Sequence, residues 1–140
     1  MANNATTYLE RNILLFLFNN NSGSFATPGD SLYVGLATAV TDPEAGTVTE
    51  ANFVNYARQN VTAANWTVTG AGVDTQTAKN SANIDWPASG GTTNIITHAF
   101  IADAVTGGNI LFIGTLDASK TIEDTDIFRI NLNNLTVELR

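Results

Sequence analysis

The 140 residues carry thirteen acidic and six basic side chains, a formal charge of −7, with one histidine and no cysteine. That balance argues against nucleic-acid binding, which draws its affinity from clustered Lys and Arg; the missing thiols exclude disulfides, thiolate nucleophiles and cysteine-ligated metals, and leave the redox compartment open. With 44% hydrophobic residues, including seven Phe, three Tyr and two Trp, the chain is expected to form one self-sufficient domain over 1–140.

The first element is a helix over residues 8–19, the only one predicted. Thr7 and Glu10 have the T-x-x-E spacing of a capping box, and Asn19, Asn20, Asn21 and Gly23 end the segment. At 3.6 residues per turn Leu9, Ile13, Phe16 and Leu17 share one face, while Leu15 and Phe18 carry the apolar surface round to another. A helix apolar on two sides calls for two partners, the subunit's own sheet and a neighbouring subunit; the alternative is a short helix wholly buried in the core. Its six-residue apolar run, 13–18, follows Glu10 and Arg11. That is short and wrongly flanked for a signal peptide and far below the ~20 residues of a membrane span. Neither signal-peptide export nor membrane insertion is expected.

After a loop containing Ser24, Pro28 and Gly29, residues 32–38 alternate Leu32, Val34 and Leu36 against Tyr33, Gly35 and Ala37, the period of a strand. Asp42-Pro43 signals a turn, and 41–55 reads as a long surface loop with a short helical turn at 50–55. Strands then follow at 56–61, 65–69, 81–86, 95–102, 110–116, 127–132 and 135–139. Breaks at Gly70-Ala71-Gly72, 87–91, Thr106-Gly107-Gly108-Asn109 and Asn133-Asn134 separate most of them. Short strands at this density predict an all-β fold: an antiparallel β-sandwich or jelly-roll-like barrel with one short N-terminal helix. No internal repeat, linker or low-complexity tract interrupts it.

His98 is the one histidine, so a Ser-His-Asp mechanism would have to run through it. On the predicted strand it shares a face with Ile96 and Phe100, which points to packing. No nucleophile elbow surrounds Ser81 or Ser89, and no catalytic residue or cofactor is assigned; the chain is expected not to be an enzyme. Glu123, Asp124 and Asp126 lack the spacing and glycine of an EF-hand loop. They read as an acidic turn, with a calcium ion bridging subunits as the alternative. Sequons at Asn4, Asn60, Asn65 and Asn134 receive no function. Trp66 and Trp86 read as core or interface residues, with a sugar-stacking platform as the alternative.

Charged residues make up 14% of the chain, below the usual ~25%, and the Asn- and Thr-rich remainder suits a packed assembly in which unpaired charge is costly to bury; the alternative is a soluble β-protein with Thr on its solvent faces. Several stretches in order carry a resemblance: Tyr8-Leu9-Glu10 leading into the helix, Leu32-Tyr33-Val34-Gly35-Leu36-Ala37-Thr38, Tyr56-Ala57-Arg58, and Asn80-Ser81-Ala82-Asn83-Ile84-Asp85-Trp86-Pro87. Ile96-Thr97-His98-Ala99-Phe100-Ile101, Thr106-Gly107-Gly108-Asn109-Ile110-Leu111 and Leu135-Thr136-Val137-Glu138-Leu139 complete the series. Together they resemble a widespread family of small tailed-bacteriophage virion structural proteins, often labelled tail fibre or structural protein. The resemblance spans nearly the whole chain, and 41–55 departs from the family's usual glycine-rich connection.

The resemblance implies particle assembly, supplies no catalytic residues and places the protein on the virion, after synthesis in the host cytoplasm. Within that class the expected role is a capsid decoration (cement) protein. It would be a homotrimer bound to the major capsid protein on the outer surface, stabilising the shell by favouring its assembled state. The alternative is a tail-fibre or tail-tip module, bound to tail proteins and recognising a host-surface glycan. Less expected is a cellular sugar-binding or hydrolytic β-domain. Leu15 and Phe18 are assigned to the subunit interface. No nucleic acid or membrane is expected among the partners.

Overall fold

Aliphatic and β-branched residues at alternating positions build the larger of two packed layers in the computed structural model, which describes residues 3–19, 32–70 and 75–139. This layer sets side by side β1 (Asn3–Ala5), β9 (Ile110–Ile122), β8 (Asn94–Ala102), β2 (Leu32–Asp42) and β3 (Thr47–Glu50), with β4 (Gln59–Val61) also on β2. The facing layer holds β5 (Trp66–Thr69), β6 (Gln76–Asn80) and β11 (Thr136–Leu139) as one small sheet, and β7 (Ile84–Asp85) with β10 (Arg129–Ile130) as another. Every pairing is antiparallel. Val34, Leu36, Ile96, Ile101 and Ile122 from the large sheet meet Ile84, Trp86, Phe128, Ile130, Leu135 and Val137 from the facing layer in one buried cluster. The fold is an all-β sandwich, and α1 (Thr7–Asn19) is the one α-helix among the described residues.

Trp86 sits at the centre of that cluster, 1% exposed, with Phe128 edge-on at 5.4 Å between centroids. Its indole N–H has no hydrogen-bond partner among the described residues, and an unsatisfied buried donor costs about 1–3 kcal/mol. Trp86→Phe removes that donor along with some volume and is expected to cost no more than about 1–2 kcal/mol. Trp86→Ala leaves a cavity and is expected to cost about 3–5 kcal/mol. Urea unfolding of the two variants checks the difference.

The structure departs from the sequence expectation chiefly around β2. Instead of a long loop at 41–55, a tight turn follows β2: Asp42 Oδ1 accepts the Ala45 N–H at 3.0 Å, and Gly46 takes φ +70°, a conformation cheap only for glycine. Thr47-Val48-Thr49 then pairs back as β3. No helical turn forms at 50–55, because the amides there are engaged elsewhere. Ala51 N–H donates to Leu36 O, and the Asn52 and Phe53 N–H groups both donate to Asn94 Oδ1.

The strand expected at 81–86 shrinks to β7, and β6 forms just before it, where none was predicted. Asn80, fully buried, donates its amide to Ala82 O and Asn131 O and accepts the Leu135 N–H, ending β6 in a polar knot. The expected loop at Ser24, Pro28 and Gly29, the helix end at Asn20, Asn21 and Gly23, and the break at Ala71-Gly72 lie outside the described residues.

Candidate assembly surface

Helix α1 is fastened at its N-terminus to the large sheet. Thr6 N–H donates to Leu111 O and Thr7 N–H to Glu44 O. Thr6 Oγ1 donates to Ile110 O at 2.7 Å and accepts the Leu9 N–H. Thr6 is therefore the N-cap, one residue before the Thr7 and Glu10 box that the spacing suggested. The position of Glu10 in the first turn still suits the helix dipole. Asn12, buried, donates its amide to Tyr8 O.

Burial falls off along the helix axis rather than round it. Leu9 is buried, yet Phe16, seven residues on and on the same face, is 55% exposed; Leu14, Leu17 and Phe18 are 57%, 65% and 79% exposed. The face that Leu9, Ile13, Phe16 and Leu17 share is thus covered, among the described residues, only toward its N-terminal end, and 13–18 is apolar all round. These four side chains present roughly 500 Å² of apolar surface if each offers ~200 Å² when fully exposed. That matches the largest apolar patch of a typical monomer, about 300–600 Å², and such patches are often functional. Leu15, half-buried, and Phe18 line one groove of about 450 Å³ with Glu10, Arg11 and Leu14.

A second hollow, of about 380 Å³, opens between α1, the β2–β3 turn and the 103–109 loop. Arg58 lies buried at its base. Its Nε and Nη2 donate to the two carboxylate oxygens of Glu50, each at 2.8 Å, and its Nη1 donates to Ala104 O and Gly107 O. The guanidinium also lies 5.0 Å over the Phe100 ring. Phe100 is the register partner of Gly35, where a Cβ would stand 2.1 Å from the ring; the glycine lets the aromatic lie across the strand and form the shelf on which Arg58 stacks. Tyr56 donates its hydroxyl to Glu50 Oε1 at 2.7 Å. Burial above all pushes the Tyr56 phenol far up, and the Glu50 hydrogen bond raises Arg58 further. Sequence reasoning quoted Arg58 without a role and missed Glu50. Only the hairpin brings these two together.

The other residues singled out from sequence lie in strands, turns and the core. A register shift in the β8–β9 pairing separates Ile96 from His98, so Ile96 enters the large core and Phe100 a second cluster; the expected common face of Ile96, His98 and Phe100 does not exist. His98 Nδ1 lies 2.7 Å from Thr97 Oγ1, and burial pushes its pKa down. Trp86 is in the core and Trp66 packs against it, its N–H donating to Val61 O, so the two form no surface platform for a sugar. Asp126 Oδ2 accepts the Glu123 N–H at 2.9 Å, closing the acidic turn on itself. Ser89 Oγ donates to Gly91 O and accepts the Gly91 N–H.

A family model described as "Podophage GP4 fiber I protein gp80" matches residues 4–138, taking in both layers, α1 and the Arg58 cleft. No curated protein sequence matches the chain significantly. With nearly its full length matched, the chain belongs to the podophage fibre family of that description and is a bacteriophage virion structural protein.

Proposed function

We propose that the chain is a non-catalytic module of a phage tail fibre that associates with copies of itself through α1 and contacts the host surface. The observation that carries this reading is the unsupported apolar half of α1 on a domain matched almost end to end by a fibre family. A fibre is built by repetition of subunits, and an apolar helix end left in water favours a closed contact with further copies, a homotrimer, over a lone subunit. Glu10 and Arg11 stand beside the groove with opposite charges, which suits pairing across identical subunits. The family's fibre description favours the tail over the capsid-cement reading expected from sequence. The non-catalytic part follows the sequence reading, which finds no nucleophile elbow at Ser81 or Ser89.

Gold-labelled copies on intact particles test the placement. The expected result is label confined to the tail, with particles lacking the protein intact on heating but poor at adsorbing to cells. Label spread over the head, on particles that burst early on heating yet adsorb normally, would return the cement reading and reject this one.

A further inference from the structure

We infer that the apolar end of α1 seats in a trough between β9 and β10 of the neighbouring copy, so that subunits join head to tail; this rests on the reading that copies associate through α1. A homotrimer needs two different patches, because around a three-fold axis every contact is heterologous, one patch of a subunit meeting another patch of the next. Helix α1 supplies the first and the trough the second. The trough holds about 530 Å³, and its lining includes Leu116, Ile127, Phe128 and Ile130 beside Lys120.

The trough exists because the sandwich is left open there. In the β8–β9 ladder His98 pairs with Thr115 but Ile96 with Lys120, so residues 116–119 of β9 stand against Thr97 alone and bulge. On its other side β9 carries β1 only opposite Phe112, Ile113 and Gly114. Strand β10 is two residues long and, among the described strands, pairs only with β7. Two strand edges thus flank the trough without joining across it, and laying a helix over an edge is one way that proteins protect it. Phe128 and Ile130 are buried, whereas Ile127 is 59% exposed and presents an apolar side chain to whatever enters.

On one subunit the two patches stand apart. Thr6, the N-cap of α1, bonds to Ile110 O, and Ile110 pairs with Ala102; Lys120, at the trough, pairs with Ile96. From Ala102 to Ile96 is roughly 20 Å along β8 at ~3.4 Å per residue. The α1 groove and the trough share no lining residue, so each copy can give its helix to one neighbour while receiving that of another. The charges also match. Glu10 lines the helix groove and Lys120 the trough; both are exposed, and the ion pairs among the described residues are Arg58–Glu50 and Arg129–Asp85. Across the seam Glu10 and Lys120 set the register, while burial of Phe18 and Ile127 supplies the attraction.

Light scattering and cysteine cross-linking on the full chain test the seam. Ile127→Asp should reduce the oligomer to a monomer, as Phe18→Asp does. Glu10→Lys should lower the mass, and Lys120→Glu in the same chain should restore it. Because the chain has no cysteine of its own, a Glu10→Cys protein mixed with a Lys120→Cys protein should be joined by a short bismaleimide, while neither variant is joined to itself. Glu10→Cys joined only to itself overturns the inference in favour of a helix-to-helix seam. So does an Ile127→Asp protein that keeps the wild-type mass while Phe18→Asp loses it. Both results leave association through α1 standing, whereas a monomeric wild type removes that reading and the trough together.

Discussion

Arg58→Met is expected to lower the unfolding free energy by about 3 kcal/mol, the lower part of the ~3–5 kcal/mol range for breaking a buried ion pair. The lower part applies because the Glu50 side chain keeps 31% of its exposure and water softens the loss of its partner. The substitution also strips Ala104 O and Gly107 O of their donor and the Phe100 ring of its cation. Arg58→Lys is not expected to rescue it, since an ammonium cannot grip a carboxylate through two parallel bonds while serving two carbonyls. Adding Glu50→Leu to Arg58→Met should recover part of the loss by removing the orphaned charge. Urea denaturation of the three variants measures this, and amide hydrogen exchange should show faster exchange at 103–109. Wild-type stability in Arg58→Lys would mean that the lock contributes charge alone and that its geometry is irrelevant.

Phe18→Asp is expected to convert the proposed oligomer to a monomer while the β-rich circular-dichroism spectrum persists. Within its own subunit Phe18 is 79% exposed, and changes at such positions usually move stability by less than ~0.5 kcal/mol. At a contact between copies the same change removes about 1.5–3 kcal/mol of burial per subunit and forces a carboxylate into an apolar seam. Light scattering on both proteins gives the masses. A monomeric wild type would remove the oligomer from the proposal, and a mutant that unfolds would place Phe18 in the subunit's own core. Leu15→Asp serves as the contrast, because Leu15 is already half-buried and should lose fold stability as well as association.

Periodicity made the long elements legible. In β2 the alternation of Leu32, Val34 and Leu36 identified the strand, and β8 and β11 lay within a residue of their expected bounds. Short pieces were harder. Strand β3 has only Val48 between two threonines, although Asp42-Pro43 with Gly46 three residues after the proline carried a turn signal that would have revealed the hairpin. Strand β6, Gln76–Asn80, is polar and poor in β-formers, so its pairing with β5 and β11 decides its conformation and local propensity does not. The helix period located α1 but not its unsupported half, because periodicity describes directions round an axis and says nothing of where the sheet beneath ends. The cleft was invisible for a related reason: Tyr8, Glu50, Arg58 and Asn109 share no local pattern and meet only through tertiary pairing.

The attachment of α1 bears on when in folding the helix takes its place on the sheet. Its anchor consists of β1 on β9, Asn3 opposite Gly114, and of the Thr6 bond to Ile110, 104 positions away. Contacts that close so long a stretch of chain cost the most loop entropy and form late in folding. Until they close, the apolar helix has no fixed bearing on the sheet. If copies associate through α1 as proposed, that geometry exists only in finished subunits, and chains that fail to close the anchor would be left out of the assembly without any separate factor to reject them.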